Sequence, residues 1–469
     1  MISTATSVGL PVIIPIDTPT LGDRSYLAHD GQLAVVIDPQ RDIDRVLAVA
    51  SEAGVRIAEV FETHIHNDYV TGGLALAEAT GARYHVNAAD EVSYARSPIS
   101  DGDVVDVSPT MRVRAIATPG HTFTHLSYAL EAAPGAGGEL EPIGVFTGGS
   151  LLFGATGRPD LLGHTHTHDL VHHQFASAHR LAEELPERTH VLPTHGFGSF
   201  CSAGSTGDAI ASTIGTEKRQ NPALTQDEEQ WVADTLAGLD AYPAYYAHMA
   251  PLNSSGPSAP DLSAPEQADK DALAARITAG EWVVDLRTRT AFAAGHVTGT
   301  FNFGLDGQFA TYLGWLIPWG TPLTLLGDSP EQVAEAQREL VRIGIDQLHG
   351  AATGGPEEWT DRPLGTFGRA VFADLAQVRH HRQVAVLDVR RTSEYADGHI
   401  EGAVNIPLHE LLARVDEIPD GEVWVHCGVG YRASVAASVL AARGTSVVAV
   451  DDSFTEHAAA SGLPVVQAA

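Results

Sequence analysis

The sequence has only two cysteines, Cys201 and Cys427, among its 469 residues. This scarcity excludes a disulfide framework and is typical of a chain in a reducing compartment. No run approaches the roughly 18 apolar residues that a membrane helix needs, so no span is predicted. The first residues, MISTATSVGLPVIIPI, have no basic segment before their short apolar run, which predicts a strand rather than a signal peptide. We therefore expect a cytoplasmic protein.

Basic residues are also scarce. The chain has 28 Lys and Arg against 59 Asp and Glu, which gives a formal net charge of −31. A surface with this excess of negative charge repels nucleic acid and anionic lipid. Neither is expected as a partner, and the charge mainly indicates solubility.

Two stretches of the sequence predict breaks between domains. Residues 251–270 are rich in Pro, Ser and Ala and have no apolar period, which is typical of a linker. A second break is predicted at residues 354–365. The resulting segments, 1–262, 263–362 and 363–469, have sizes that domains commonly take.

The last two segments repeat each other. The stretch VVDLRTRTAFAAGHVTGTFNF (283–303) matches VLDVRRTSEYADGHIEGAVNI (386–406). In each copy, apolar strands alternate with helical stretches, which predicts two α/β domains with parallel sheets. At a constant spacing, the matched residues are Asp285 and Asp388, His296 and His399, Gly299 and Gly402, and Asn302 and Asn405.

The N-terminal segment also alternates strands and helices, and it places polar residues at strand ends, where α/β enzymes place their sites. His64 and His66 follow the predicted strand IAEVFET, whereas His121 and His195 follow later strands. Imidazole suits zinc and iron, and nearby aspartates such as Asp38 supply carboxylates. This pattern predicts a metal centre. Its candidate ligands are His64, His66, Asp68, His121 and His195.

The stretch VWVHCGVGYRAS predicts a nucleophilic site at Cys427. A strand ends at the cysteine, a glycine-bearing loop follows, and a helix begins near Arg432. Loop N–H groups and a helix N-terminus favour negative charge, and therefore the thiolate form of a cysteine. Arg432 adds a planar cation for an anionic donor. The loop residues predicted to contact the substrate are Gly428, Val429, Gly430 and Tyr431.

Together with Asp388, Arg390, Glu394 and His399, this stretch resembles a rhodanese domain over nearly all of residues 366–466. The resemblance implies that Cys427 takes sulfane sulfur as a persulfide and passes it to a thiol or cyanide, with Arg432 and Asp388 as further catalytic residues. The C-x4-R loop is one residue shorter than the C-x5-R loop of tyrosine phosphatases, which favours sulfur over phosphate.

The first copy departs from this pattern. Its matching stretch, PLTLLGDSPEQ, has no cysteine and therefore cannot form a persulfide. We expect residues 268–360 to be a rhodanese-like domain with a structural role.

The N-terminal segment resembles the metallo-β-lactamase superfamily over roughly residues 8–250, through the motifs HIHND and FTGGSLLFGATGRPDL. The resemblance implies an αβ/βα sandwich, followed here by the two α/β domains. By motif, the nearest groups are persulfide dioxygenase and glyoxalase II. Similarity to persulfide dioxygenases implies one Fe(II) bound by His64, His121 and an aspartate, with open positions for O2 and a persulfide.

Two residues depart from the family pattern. Gly149 replaces the aspartate ligand, and Tyr69 replaces a histidine that two-metal members use. Three alternatives stay open: Fe(II) with Asp68, His66 or His195 as the substitute ligand, Zn in the same pocket, or a metal-free scaffold. Replacing Gly149 with Asp is expected to raise bound iron.

Three further features complete the expectations. The histidine-rich stretch 161–173 predicts solvated or capping histidines, and Arg158 with Asp160 is expected to anchor a loop. Cys201 is interpreted as a packed loop cysteine, with contact to a thiol substrate as the alternative.

The predicted function is sulfur handling, with a low-molecular-weight persulfide, thiosulfate or another sulfane-sulfur donor as the partner; a homodimer is left open. The alternatives are a glyoxalase II-like thioester hydrolase and a metal-free scaffold that carries one active sulfurtransferase domain.

Overall fold

The computed structural model describes residues 10–133, 138–204 and 209–467. Residues 1–9 of the predicted first strand lie outside the described residues. The chain forms two compact units: unit 1 comprises Met1–Pro260 with Val341–Gly344, and unit 2 comprises Asp261–Leu340 with Ile345–Ala469. The domain boundaries at 262 and 362 stay predictions. Among the described residues, no helix combines the length and apolar character needed to cross a membrane.

Unit 1 contains two six-stranded sheets and seven helices within its described residues. The first sheet has the order β1-β2-β3-β4-β5-β6: β1 (Val12–Thr18), β2 (Asp23–His29), β3 (Leu33–Ile37), β4 (Arg56–Phe61), β5 (Arg83–Asn87) and β6 (Ser97–Ile99). The second has the order β12-β11-β10-β9-β8-β7: β7 (Val104–Ser108), β8 (Met111–Ala117), β9 (Leu126–Ala132), β10 (Glu141–Gly148), β11 (His190–Pro193) and β12 (Ser212–Thr213). The helices are α1 (Asp44–Ala53), α2 (Gly73–Thr80), α3 (His164–Glu184), α4 (Ile214–Gln220), α5 (Pro222–Thr225), α6 (Glu228–Ala237) and α7 (Tyr246–Ser255).

The two sheets of unit 1 pack face to face, with helices on their outer faces. Phe61 of the first sheet and Tyr128 of the second meet between them, with ring centroids 4.9 Å apart. Successive side chains of a strand point to opposite faces, so Ala129 packs on the outer side against Leu181 of α3. Leu76 of α2 packs on the outer face of the first sheet. The predicted αβ/βα sandwich is confirmed.

Unit 2 contains two parallel sheets. The first has the order β14-β13-β15-β16: β13 (Trp282–Asp285), β14 (Phe301–Asn302), β15 (Leu323–Gly327) and β16 (Leu348–Thr353). The second has the order β17-β22-β21-β18-β20: β17 (Gly368–Ala370), β18 (Ala385–Asp388), β20 (Val404–Asn405), β21 (Val423–His426) and β22 (Val447–Val450). A small antiparallel pair joins β19 (His399–Ile400) to β23 (Val465–Val466).

The remaining helices surround these sheets. They are α8 (Lys270–Thr278), α9 (Arg289–Ala294), α10 (Phe309–Leu316), α11 (Pro330–Arg342), α12 (Pro356–Trp359), α13 (Phe372–His381), α14 (Thr392–Asp397), α15 (Leu411–Arg414) and α16 (Tyr431–Ala442). Short 3-10 turns lie at Leu408–Glu410 and Val415–Glu417, and a π-type turn lies at Phe454–Ala458.

The sequence repeat in unit 2 is also a repeat of contacts. The buried Asp285 accepts hydrogen bonds from Arg287 at 3.0 Å (Nε) and 2.6 Å (Nη2). Asp388 accepts the same pair from Arg390, also at 3.0 and 2.6 Å. Buried charges are tolerated when they are paired and hydrogen-bonded in this way. The same ion pair therefore supports the corresponding strand end of each copy.

The predicted linker begins later than expected. Residues 251–255 belong to α7, which includes Pro251 within the helix. Asn253, only 1% exposed, bonds to backbone groups of the loop after β4, and these long-range bonds favour the ordered helix. The linker prediction is therefore wrong for residues 251–255. That prediction was based on local composition, which cannot predict the tertiary contacts that stabilise a helix.

Candidate functional site: a histidine pocket and a thiol loop

Four predicted histidines meet at the strand ends of unit 1. His64 and His66 lie in the loop after β4, His121 lies after β8, and His195 lies after β11. Their rings are packed together, with centroid distances of 4.1 Å for His64–His66, 4.8 Å for His64–His121 and 5.3 Å for His121–His195. All four are at most 1% exposed. The fold thus collects them in one buried pocket; their role as ligands stays a prediction.

Hydrogen bonds fix which ring nitrogen of His64 and His121 can bind a metal. His121 Nδ1 lies 2.9 Å from the backbone oxygen of Arg158, which can only accept, so Nδ1 donates. The Thr63 hydroxyl donates to Asp38 at 2.8 Å, so His64 Nδ1, 2.9 Å from that hydroxyl, must also donate. In both rings Nε2 therefore keeps its lone pair, and it has no hydrogen-bond partner among the described residues. This arrangement is typical of metal-binding histidines.

Two carboxylates hold His195. Its Nδ1 lies 3.0 Å from Asp23 Oδ1 and 3.1 Å from Asp68 Oδ2. Burial alone lowers the pKa of His195, but Asp68 and Asp23 outweigh it and raise this pKa to about 10. The two carboxylates thus stabilise positive charge at this end of the pocket. Either a proton on His195 or a metal cation can supply that charge.

His66 occupies a different environment from the other three histidines. Its Nε2 lies 3.0 Å from the Tyr69 hydroxyl, 3.2 Å from Glu62 and 3.3 Å from Asp38. Burial lowers the pKa of His66, but Asp38 and Glu62 outweigh burial and raise it to about 9. The Tyr69 hydroxyl and two buried carboxylates therefore surround Nε2 of His66, while its Nδ1 is buried without a hydrogen bond among the described residues.

The unpartnered atoms of the pocket fit a metal ion. Within the described part of the chain, His64 Nε2, His121 Nε2 and His195 Nε2 are buried without a hydrogen bond, while Asp68 Oδ2 has an ion-pair contact with His195 Nδ1. A buried polar atom that lacks a partner costs about 1–3 kcal/mol, and a bound cation would remove this cost. Sets of three donor atoms within 4.8 Å of one another are His64, His66 and His195; His121, His195 and Cys201; Asp23, Asp68 and His195; and Asp38, Glu62 and His66.

Gly149, the position of the expected aspartate, lies against His121. A Cβ atom at residue 149 would lie 2.3 Å from His121 Cδ2, which is closer than real contacts allow. A Cβ at Gly157 would lie 2.8 Å from His121 Nδ1. The imidazole therefore occupies the space that a side chain at 149 would need. Asp23 and Asp68 are the carboxylates that form a donor set with His195.

The pocket includes a thiol that the sequence analysis underestimated. Cys201 is fully buried, as expected of a packed cysteine, but its Sγ belongs to a donor set with His121 and His195. The Tyr246 hydroxyl lies 3.8 Å from this sulfur. Burial, followed by Asp68, raises the pKa of Cys201 well above its usual value, so the free thiol is protonated. Its position six residues after His195 was the only sequence signal for this placement.

Asn253 is a second residue that sequence reasoning missed. Its Nδ2 donates to the backbone oxygens of His66 at 2.9 Å and Tyr69 at 2.8 Å. Its Oδ1 accepts the N–H of Thr71 at 2.9 Å. One side chain from α7 therefore holds the ligand-bearing loop at three points. No local motif marks this asparagine in the sequence.

The residues around α3 follow the sequence-based interpretation. Arg158 forms a buried pair with Asp160 at 2.6 Å and also donates to the backbone oxygen of Asp240 at 2.6 Å, which anchors this loop. The helix begins at His164, and His164, His166 and His168 are exposed. Among the described residues, the histidines of α3 take part in none of the donor sets.

The second candidate site lies in unit 2, where β21 gives way to α16. Cys427 is 1% exposed, and its Sγ accepts the backbone N–H of Gly430 at 3.1 Å. Gly430 has a φ of 99°, a conformation that favours glycine, and this turn aims its N–H at the sulfur. Val429 at the tip of the loop is 68% exposed. The loop therefore supports negative charge on the sulfur and also reaches solvent.

Two of the predicted site residues have other partners. Both Nη atoms of Arg432 donate to Glu394, at 2.6 and 2.8 Å, so this pair is internally neutral. Burial raises the pKa of Glu394, but Arg432 outweighs it and lowers this pKa to about 2. The Tyr431 hydroxyl donates to the Gly304 oxygen of the first copy at 2.9 Å. The Tyr431 hydroxyl is therefore already used in a hydrogen bond to the first copy. This geometry does not support the predicted contact between Tyr431 and the substrate.

The environment of Asp388 favours a structural role. It is fully buried in the pair with Arg390, and its Oδ2 lies 3.6 Å from His426 Nε2. Asp285 forms the same pair with Arg287 in the copy without a cysteine. The catalytic role of Asp388 stays a prediction, since these contacts serve the fold in both copies.

Comparisons with known proteins follow this division of the chain. The family model of the metallo-beta-lactamase superfamily matches residues 21–180, and that of the rhodanese-like domain matches residues 372–460. A solved metallo-beta-lactamase from Staphylococcus aureus is 27% identical, with a TM-score of 0.65, and covers 74% of this chain and 100% of its own. The structure of ETHE1 from Myxococcus xanthus is 28% identical, with a TM-score of 0.44, and covers 52% of this chain and 98% of its own.

Curated relatives match part of the chain. A hydroxyacylglutathione hydrolase of Polaromonas sp. is 29% identical over 166 residues, which are 35% of this chain and 57% of the relative. One of Acidiphilium cryptum is 35% identical over 130 residues, 27% of this chain and 53% of the relative. The chain spans about half the length of these relatives. It contains a metallo-β-lactamase superfamily domain at residues 21–180 and, at residues 372–460, a rhodanese-like domain.

Proposed function

We propose that this protein is a sulfane-sulfur enzyme with two sites. Cys427 transfers sulfur, and the histidine pocket oxidises a low-molecular-weight thiol persulfide with the help of a metal. The observation that carries the proposal is the 3.1 Å bond from the Gly430 N–H to the Cys427 sulfur, in a domain of the rhodanese-like family. The family implies a sulfur donor as the type of substrate.

At Cys427 the proposed step is a thiol–disulfide-type exchange. The thiolate attacks the outer sulfur of the donor, and a new S–S bond forms on Cys427. The S–S bond of the donor breaks, and its inner part leaves with the electron pair, as a thiolate or as sulfite. The Gly430 N–H stabilises negative charge on the cysteine sulfur, both before the attack and after sulfur is passed to an acceptor thiol.

In unit 1, His64, His121 and His195 would hold a metal through Nε2, with Asp68 as the nearby carboxylate. Fe(II) in such a set supplies a site for O2 activation. The carboxylates on His195 orient that ring and raise its basicity, and Asn253 holds the loop of His64. The buried pocket excludes water, which protects a persulfide from side reactions.

Thioester hydrolysis is the second candidate, because the curated relatives are hydroxyacylglutathione hydrolases at up to 35% identity. The phenol of Tyr69 argues against a two-metal centre, since it pairs with His66 instead of offering an imidazole. Zinc in the same donors and a scaffold role without metal are further outcomes of the test below.

The test combines metal analysis of the full chain, purified without added metal, with three assays. We expect iron, O2 uptake on glutathione persulfide, and sulfur loading of Cys427 by mass spectrometry; S-lactoylglutathione should not be hydrolysed at an ordinary rate. Cys427→Ser should abolish loading, with Cys201→Ser as the matched control. Zinc with hydrolysis would support the second candidate, and the absence of both metal and O2 uptake would leave only sulfur transfer. Loading that persists in Cys427→Ser would contradict the transfer site.

A further inference from the structure

The first copy of unit 2 contacts the sulfur-transfer loop directly. The Tyr431 ring packs on Gly307, where an added Cβ would lie 2.3 Å from that ring. Ser438 of α16 accepts the N–H of Asn302 at 2.9 Å. The copy without a cysteine is therefore not remote from Cys427; it forms one wall beside its loop.

Helix α10 of that copy presents a phenol to the site. The Tyr312 and Tyr431 ring centroids are 5.9 Å apart. Tyr431 directly follows Gly430, whose N–H bonds the Cys427 sulfur, so Tyr312 lies beside the loop that surrounds this cysteine. Burial raises the pKa of Tyr312, and the charges of Arg432 and Cys427 also act on it. Tyr312 is half-buried, and among the described residues its hydroxyl makes no hydrogen bond to another group of the protein. An available hydroxyl donor thus lies next to Tyr431 of the thiol loop.

The arginines near Cys427 are already paired. Arg432 uses both Nη atoms on Glu394. Arg289 of the first copy donates to Asp451 at 3.0 Å and to Asp306 at 2.6 Å. Arg391 also pairs with Glu394, at 3.2 Å. Because these guanidinium groups are already engaged by carboxylates, neutral donors, namely loop amides and a hydroxyl, are needed to complete the binding of an anionic donor.

We infer that the Tyr312 hydroxyl, supplied by the copy without a cysteine, donates a hydrogen bond to a sulfonate oxygen of an S-sulfonate donor such as thiosulfate at Cys427. The inference rests on the proposed sulfur transfer. Cys427 thiolate attacks the outer sulfur of thiosulfate, the S–S bond breaks, and sulfite leaves with the electron pair. Tyr312 thus binds the group that departs, and it selects donors that carry oxygens there.

The test compares two donors in the full chain with Tyr312→Phe, which removes only the hydroxyl. A hydrogen bond to a charged group supports an effect of about ten-fold or more. We expect kcat/KM for thiosulfate to fall by that factor, mainly through KM, while loading from glutathione persulfide is unchanged. Tyr395→Phe is the matched control, since the Tyr395 hydroxyl donates to the Ala403 oxygen at 2.9 Å.

The persulfide reaction in the same sample shows whether the variant is folded. Unchanged thiosulfate kinetics in Tyr312→Phe would overturn the inference, and so would an equal loss with both donors, which indicates a disturbed loop. Failure of the wild-type chain to load Cys427 from either donor would instead overturn the proposed transfer function. The two failures are therefore distinguishable.

Discussion

The His121 ring packs against the α-carbon of Gly149, where a Cβ atom would lie 2.3 Å from Cδ2. The family resemblance alone suggested that an aspartate at 149 restores a ligand. The packing gives the opposite expectation, because any side chain at 149 first has to displace an imidazole. The glycine therefore permits the position of His121 in this pocket.

Gly149→Ala tests this packing without adding a carboxylate. We expect it to lower the amount of bound metal, because the displaced ring no longer directs Nε2 into the pocket. Gly149→Asp should also lower bound metal, and elemental analysis of both variants checks it. If Gly149→Asp binds more iron than the wild type, the ring can move aside and the expectation from the resemblance holds.

Asn253→Ala should loosen the loop that carries His64, His66 and Asp68. It removes three hydrogen bonds to buried backbone groups, which predicts a loss of about 3 kcal/mol in the free energy of unfolding and weaker metal binding. Denaturant unfolding and metal titration measure the two effects. Asn221→Ala is the control, since Asn221 bonds the Ala155 oxygen at 2.9 Å, away from this loop. It should lose stability but keep metal affinity, and equal metal loss in both variants would contradict the role of Asn253.

Cys201 and Cys427 should be separable by their serine variants. Cys201→Ser is expected to weaken metal binding, because a hydroxyl is a poorer soft ligand beside His121 and His195, and to leave sulfur loading at Cys427 intact. Cys427→Ser should show the reverse. Metal content and intact-protein mass spectrometry read out the two sites, and unchanged metal affinity in Cys201→Ser would place the thiol outside the metal centre.

The Glu394–Arg432 pair predicts a pH dependence of stability. The pKa of Glu394 is lowered from 4.5 to about 2 in the folded chain, after Arg432 outweighs burial. A carboxyl group whose pKa is lower in the folded state than in the unfolded state stabilises the fold at any pH above its unfolded-state pKa. This stabilisation is lost as the pH falls through the folded-state pKa. The stability difference between wild type and Glu394→Gln should therefore be constant above about pH 4.5 and shrink toward pH 2. Because the pair is partly exposed, we expect a modest difference, further reduced by salt.

Urea unfolding at several pH values checks this prediction. Glu417→Gln is a suitable control, since Glu417 pairs with Arg414 at 2.7 Å but is exposed. A difference for Glu394→Gln that does not change with pH would contradict the assignment.

Short-range patterns predicted the parts of the molecule that depend on neighbouring residues. The apolar runs predicted β3 and β4, and therefore the position of His64 just after a strand. The glycine-bearing stretch predicted the loop at Cys427. The contacts of Cys201 and Asn253 could not be predicted in this way. They join residues that are far apart in the sequence, and a single cysteine or asparagine carries no periodic signal. The same limitation hid Tyr312, which belongs to a copy interpreted only as structural.

The clamp from α7 has a consequence for biosynthesis. The loop with His64 is translated nearly 190 residues before Asn253, which fixes it from outside the family-matched region 21–180. On the ribosome, a nascent chain that ends before α7 already contains the pocket histidines. It lacks the brace, which is the set of hydrogen bonds from Asn253 that hold the His64 loop in place. Under the proposed metal binding, the complete site would form only after α7 has emerged from the exit tunnel, and a fragment trimmed to the matched region would lack both His195 and this brace.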